Sequence, residues 1–305
     1  MIYRKFQDIQ LSGLGLGMMR LPVLGGNDGA VDEAAAAKMI DYAYKNGINY
    51  FDTAWGYHDG NSELVAGKYL SAYPRESYYL ASKFPGYDLS NMGKVEEIFE
   101  RQLEKCRTGY FDFYLFHNVY EGNIDAYLNP QYGILEYLLK QKENGRICHL
   151  GFSAHGSVEV IRHFLEAYGQ HMEFCQLQLN YMDWHFQNAM EKAERIQKSG
   201  IPIWVMEPLR GGKLAKASGE LSAAMQSLRP EETVPGWAFR FLQSIPGVTV
   251  VLSGMSDLEQ LKANIITWET DKPLNGEEFD TLVKYADEET KKGGLPCTAC
   301  HYCTS

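Results

Sequence analysis

Asp52, Tyr57, Lys83 and His117 are the residues of this chain whose types and spacing suit proton transfer. Asn49-Tyr50-Phe51 runs into Asp52, and Tyr57 follows five residues later. Tyr78-Tyr79-Leu80-Ala81-Ser82 ends in Lys83, and Phe111-Asp112-Phe113-Tyr114-Leu115-Phe116 ends in His117. In a parallel α/β protein the carboxyl ends of the strands gather on one face, where ligands bind. There, a carboxylate, a phenol, an amine and an imidazole would share one pocket and could protonate a carbonyl oxygen. A phenol, with an ordinary pKa of ~10, serves as a general acid near neutrality only if a nearby cation favours its phenolate. Lys83 would supply that cation, Asp52 would hold it through a charge-assisted bond, and His117 would donate to the same substrate oxygen. Singly, each residue has an ordinary structural reading; the joint placement on successive strand ends carries the chemistry.

That placement requires a particular set of elements. The pattern predicts strands over 14–18, 48–52, 78–82, 111–116, 147–152, 174–179, 202–206 and 248–252, each followed by a helix. Helices are predicted over 32–46, 62–72, 92–108, 134–143, 158–168, 187–198, 235–243 and 258–267. The first has Asp32 as its N-cap and Gly47 just past its end. Eight βα units favour a closed (β/α)8 TIM barrel over an open sheet. The run Gly13-Leu14-Gly15-Leu16-Gly17 invites a dinucleotide-binding G-x-G-x-x-G reading, but Met18 or Arg20 falls where the third glycine is needed. These glycines are expected instead to let the backbone approach a ligand at the barrel mouth.

With 305 residues, 45% of them apolar, the chain can bury a large core. The expected division is a barrel over 1–285 and a tail over 286–305. The first residues lack a signal peptide's apolar stretch and no apolar run reaches membrane-spanning length, so the expectation is a cytoplasmic protein without a membrane partner. A net charge of −10 argues against nucleic acid as a partner. Cys106, Cys148 and Cys175 read as reduced cysteines in or beside apolar segments.

The chain resembles the aldo-keto reductase superfamily. The stretches that carry the resemblance are Phe51-Asp52-Thr53-Ala54-Trp55-Gly56-Tyr57, Ser82-Lys83, Phe116-His117-Asn118, Gly151-Phe152-Ser153, Gln176, Glu207-Pro208-Leu209 and 254–264. The resemblance implies a tetrad of Asp52, Tyr57, Lys83 and His117, and an NADP or NAD cofactor across the barrel mouth. It implies that Ser153 and Gln176 bond the nicotinamide carboxamide, that Gly17 and Met18 approach the adjoining ribose, and that Met206 covers the ring where many members have an aromatic residue. Pro208 would contact the cofactor and the segment Leu209–Leu214 would run along the pyrophosphate with Arg210 as charge partner, while Gly254, Ser256, Gln260 and Asn264 would border the adenosine. Ala154 stands where many members have asparagine after the serine, and Gln260 where NADP-preferring members often have arginine. The implied activity is reduction of an aldehyde or ketone, or the reverse, on a small-molecule carbonyl substrate. Loops 24–31, 55–61, 84–91 and 118–131, carrying Trp55, Tyr87, Tyr120 and Tyr127, would choose that substrate.

Cys297-Thr298-Ala299-Cys300-His301-Tyr302-Cys303 has the C-x2-C-x2-C spacing that opens a bacterial ferredoxin cluster run. Some bacterial relatives in the superfamily resemble this barrel followed by such a tail. The expectation is that Cys297, Cys300 and Cys303 begin an incomplete 4Fe-4S segment, a vestige without its cluster here or one completed in a longer form; the alternatives are zinc held by these thiolates with His301, or a ligand-free tail. Rival readings follow: an electron-transferring oxidoreductase whose tail serves a redox partner, or a cofactor-binding sensor or accessory subunit, as in the barrels that accompany voltage-gated channels.

Overall fold

The structure, a computed structural model, describes residues 1–217 and 219–292. Among the described residues ten strands are present: β1 (Tyr3–Phe6), β2 (Ile9–Ser12), β3 (Leu14–Gly17), β4 (Tyr50–Asp52), β5 (Tyr79–Phe84), β6 (Phe111–Val119), β7 (Ile147–Ala154), β8 (Phe174–Gln178), β9 (Ile203–Met206) and β10 (Val248–Ser253). The last eight close a barrel in the order β10-β3-β4-β5-β6-β7-β8-β9, and every adjacent pair is parallel. The chain therefore folds as a (β/α)8 TIM barrel.

Alternation along the strands divides the core in two. Tyr50, Ala81, Phe113, Leu115, Phe174, Trp204, Val250 and Leu252 fill the barrel interior, and neighbours such as Phe51, Tyr114 and Val251 pack outward against the helices. The interior cluster also takes Phe6 and Leu11 from an antiparallel hairpin, β1–β2, that the sequence reading left unassigned. Two of the glycines of 13–17 serve packing rather than a ligand. A Cβ on Gly15 would lie 2.7 Å from Leu252 and 3.3 Å from Tyr50, and one on Gly13 would lie 2.6 Å from the Trp268 ring. Only Gly17 reaches the mouth.

The outer helices are α1 (Glu33–Lys45), α2 (Asn61–Leu70), α3 (Val95–Lys105), α4 (Ile124–Leu128), α5 (Ile134–Glu143), α6 (Val158–Tyr168), α7 (Asp183–Phe186), α8 (Ala189–Lys198), α9 (Gly219–Leu228), α10 (Val234–Gln243), α11 (Leu258–Thr267) and α12 (Gly276–Lys291). Side-chain caps set several starts: Asp32 accepts from Ala35 N–H, Ser157 from Val160 N–H and Asp257 from Gln260 N–H. Asn275 and Glu278 form a capping box that starts α12. The boundary expected at 285 falls inside α12, where Ala286 is buried and Asp287 pairs with His185 at 2.9 Å. No described helix is long and apolar enough to cross a membrane. Cys297, Cys300 and Cys303 lie outside the described residues, among which no group of three or more metal-ligating side chains occurs.

Candidate active site

β4 ends in Asp52 and the next strand of the barrel, β5, carries Lys83; parallel pairing sets Asp52 opposite Ala81, two residues before the lysine. Lys83 is completely buried and directs its ammonium to three oxygens. It donates to Asp52 Oδ1 at 2.6 Å, to Thr53 O at 2.8 Å and to the Tyr57 hydroxyl at 3.4 Å. A buried ammonium is costly without such partners, so the ion pair with Asp52 is part of what keeps Lys83 in place. Burial still lowers its pKa below the ordinary lysine value, and Asp52 offsets part of that loss. The Tyr57 ring lies with its centroid 4.9 Å from Lys83 Nζ, and the chain leaves it through His58, Asp59 and Gly60, all left-handed, with φ of 53°, 52° and 87°. The buried His58 ring fixes this turn, accepting from Leu21 N–H at 3.1 Å.

His117 lies within β6 rather than beyond its end. The strand runs to Val119, and its register with β7 shifts between Phe116 and Val119, where Asn118 takes a φ of 56°. Such a bulge re-aims side chains beside a site. Three bonds hold it: Asn118 N–H donates to Ser153 Oγ at 2.7 Å, the Tyr127 hydroxyl to His117 O at 2.7 Å, and Asn123 Nδ2 to Asn118 O at 2.8 Å. The imidazole stands edge-on to Tyr57, with centroids 5.9 Å apart, and to Tyr87 at 5.2 Å. Burial, with Lys83 nearby, pushes the His117 pKa well below its ordinary value, so the ring is neutral at pH 7. Of the aromatic residues expected on the substrate loops, Tyr127 is buried and structural, whereas Trp55, Tyr87 and Tyr120 are half-buried.

Behind Lys83 lies a buried network that the sequence reading did not include. Glu63 accepts from Lys105 at 2.7 Å on one oxygen and from Ser82 and Gln102, each at 2.7 Å, on the other. Gln102 also donates to Lys83 O at 3.0 Å and accepts from Tyr114 at 2.6 Å. The spacing of Glu63 after Tyr57 on a helix facing the barrel was its only signal.

A cavity of about 310 Å³ opens at the carboxyl ends of β3, β4, β8, β9 and β10. It is lined by Asp52 and Tyr57 and by eight of the expected cofactor contacts: Gly17, Gln176, Met206, Pro208, Leu209, Gly254, Ser256 and Gln260. Gln176 also donates to Asp52 Oδ2 at 3.3 Å, which ties this groove to the tetrad. Four expected contacts sit elsewhere. Met18 turns into the core because Met18–Arg20 forms a 3-10 turn, and Met19 and Arg20 face the cavity in its place. Ser153 lies one strand over, beside Gln176 in register, with its hydroxyl engaged by the bulge. Asn264 is buried behind Ser253, donating to its hydroxyl at 3.4 Å. Arg210 is buried beside the groove, its Nε 3.1 Å from Asp183 Oδ1, and is not among the residues that line the cavity. Among the described residues, Arg20 is the cationic side chain that lines the cavity, and Glu207 is a lining carboxylate besides Asp52. The loop 207–212 is left-handed at Glu207, Arg210, Gly211 and Gly212. Consecutive backbone N–H groups in such a turn make an anion-binding concavity. These features fit a dinucleotide with a diphosphate.

Comparison with known proteins agrees. A model of the aldo/keto reductase family matches residues 13–287. A protein of Escherichia coli K12 named NADH-specific methylglyoxal reductase is 27% identical over 227 residues, covering 68% of this chain and 66% of that protein. The oxidoreductase YqkF of Bacillus subtilis 168 is 24% identical over 316 residues, covering 93% of this chain and 96% of that protein. The chain thus spans just under two thirds of the first and nearly all of the second. An aldo-keto reductase from Bacillus halodurans, solved in its holo form, superposes with a TM-score of 0.75 at 26% identity, covering 93% of this chain and 96% of that one. An aldo-keto reductase from Klebsiella pneumoniae, solved with NADPH, has a TM-score of 0.74 at 20% identity over 94% of this chain and 96% of that one.

Proposed function

The chain belongs to the aldo/keto reductase family, and we propose that it is an NAD(P)-dependent oxidoreductase that reduces an aldehyde or ketone to an alcohol, or runs the reverse reaction, with Tyr57 as general acid or base. The observation that carries this reading is the Tyr57 hydroxyl held 3.4 Å from a buried ammonium at the wall of a diphosphate-compatible groove. A bound nicotinamide dinucleotide would supply or accept the hydride. Gly17, Gln176, Met206, Pro208, Leu209, Gly254, Ser256 and Gln260 would hold it, with the N–H groups of 211–212 and Arg20 toward its phosphates. The names of the relatives support such a cofactor, one being NADH-specific and one solved with NADPH.

The residues divide the proton work. Tyr57 gives its hydroxyl proton to the carbonyl oxygen. The Lys83 ammonium stabilises the phenolate left behind, and Asp52 and Thr53 O keep that ammonium aimed at it. His117, neutral, donates its ring N–H to the same oxygen, which orients the carbonyl and spreads the developing negative charge. Tyr87 borders this position with a largely apolar ring, which suits a small carbonyl compound.

Calorimetric titration with NADPH and NADH, followed by reduced-cofactor consumption over a panel of aldehydes and ketones, tests the proposal. Saturable binding of one dinucleotide and carbonyl-dependent oxidation support it. Tight binding without consumption on any carbonyl would instead make the barrel a cofactor sensor, and no binding of either dinucleotide would remove the cofactor.

A further inference from the structure

Glu207 is an unexpected residue in a groove that would take a diphosphate. Glu207 is among the residues that line the cavity, and its Oε2 is buried with no hydrogen-bond partner among the described residues. Its backbone is left-handed, with a φ of 56°, a conformation that costs a non-glycine residue and that surrounding structure must enforce. Left-handed residues follow at Arg210, Gly211 and Gly212, so Glu207 begins the turn that carries the Gly211 N–H, a hydrogen-bond partner of its own side chain.

The charged groups around Glu207 come from three elements. Arg20, from the 3-10 turn after β3, and Arg210, on the same loop, favour its ionised form, as does the Gly211 N–H; Asp183 of α7 opposes it. Arg210 is already paired with Asp183, which leaves Arg20 as the cation directed to the cavity. β10 lies between β9 and β3 in the barrel, so Arg20 and Glu207 approach its carboxyl end from opposite sides. The Arg20 stem crosses that end so closely that a Cβ on Gly254 would lie 2.6 Å from its Cγ.

We propose that Glu207 is an internal competitor for the diphosphate: its carboxylate occupies the anion-favouring corner made by loop 207–212 and Arg20, and dinucleotide binding there is coupled to proton uptake by Glu207. This inference rests on the cofactor reading above. Two anions do not share a partly dehydrated corner without one of them being neutralised. The diphosphate stays ionised at all working pH values, so Glu207 is the group that takes the proton, from solvent. Burial already raises its pKa above the ordinary carboxylate value, and a neighbouring diphosphate raises it further. The sign follows: the bound state holds more protons, so affinity is highest at low pH and weakens as pH rises through the Glu207 pKa.

The test is calorimetric binding of NAD+ and NADP+ to the wild type and to Glu207→Gln between about pH 5 and pH 8, a range that spans carboxylate titration. NAD+ is included because it lacks a titrating 2′-phosphate. Glu207→Gln is expected to bind about tenfold more tightly than the wild type near the top of this range, the effect of a one-unit pKa rise on binding, and the difference is expected to close toward the bottom. Heats measured in buffers of different ionisation enthalpy should show proton uptake by the wild type and none by the variant. Arg20→Gln should weaken binding throughout. Equal or weaker binding by Glu207→Gln at high pH overturns the proposal. So does binding to the wild type without proton uptake, a measurement that needs no variant to fold. Failure of the wild type to bind either dinucleotide at any pH overturns the cofactor reading as well.

Discussion

On the proposed reading each residue of the tetrad has a distinct electrostatic task, and substitution separates them. Lys83 places positive charge 3.4 Å from the Tyr57 oxygen, so Lys83→Met should shift the alkaline limb of the pH–rate profile for reduction to higher pH: without the cation, Tyr57 keeps its proton longer. The plateau rate should fall as well, because the phenol becomes a weaker acid. Asp52→Asn leaves the ammonium in place but loosens it, and a smaller shift is expected; a pH–rate profile unchanged in Lys83→Met would show that the amine does not tune the phenol. His117 tests linkage. Its folded-state pKa is depressed by burial, so an unfolded chain binds a proton there that the native state does not. Stability should therefore decline as pH falls below about 6.5, the ordinary histidine value, and urea melts of His117→Gln should show a shallower decline than the wild type over that window. The four proposed tetrad residues were legible as candidates, because residue type and position at or near strand ends are written in the sequence. Arg20 and Glu207 were not, since each has a role only once the chain returns β3 and β9 to either side of β10.

At the scale of elements, irregular backbone places the reactive groups that regular strands carry close to the site. The β6 bulge needs a residue that tolerates a φ of 56°, which asparagine does and a β-branched residue does not. Asn118→Val should cost about 1–3 kcal/mol of stability and lower turnover by misplacing His117, whereas Asn118→Gly should retain both; chemical denaturation and steady-state rates measure the two effects. The β1–β2 hairpin contributes a different kind of support. Phe6 packs its ring 5.1 Å from Trp204 and 5.7 Å from Phe113 at the end of the barrel interior, so Phe6→Ala should cost about 3–5 kcal/mol while leaving dinucleotide affinity unchanged. An affinity loss matching the stability loss would mean that the hairpin shapes the mouth as well. The eight βα units were readable from apolar runs bounded by glycine and capping residues, several to the residue, as for Ile134–Glu143, Val158–Tyr168 and Leu258–Thr267. The hairpin was missed because its strands are four residues long and share only two buried apolar side chains, Phe6 and Leu11. α12 was missed although Asn275 and Glu278 carried a capping-box signature.

For the whole molecule, the barrel closes through pairing of β10 with β3, and every residue of the tetrad and cavity lies within 17–260. Serine at Cys297, Cys300 and Cys303 should accordingly leave dinucleotide affinity unchanged, checked by calorimetry; a large loss would tie the tail to the groove. On the proposed reading, this barrel positions Tyr57 to exchange a proton with a carbonyl substrate at the wall of the same groove that holds the cofactor. Tyr57→Phe removes only the hydroxyl, and the ring keeps its contacts with Lys83 and His117. Single-turnover reduction of an aldehyde that the wild type accepts, measured beside NADPH and NADH affinity in the same preparation, tests the claim most directly. The rate is predicted to fall by about 10²–10⁴-fold, the general-acid contribution, with affinity within about twofold of the wild type. A Tyr57→Phe protein that reduces the aldehyde within twofold of the wild-type rate would contradict the account.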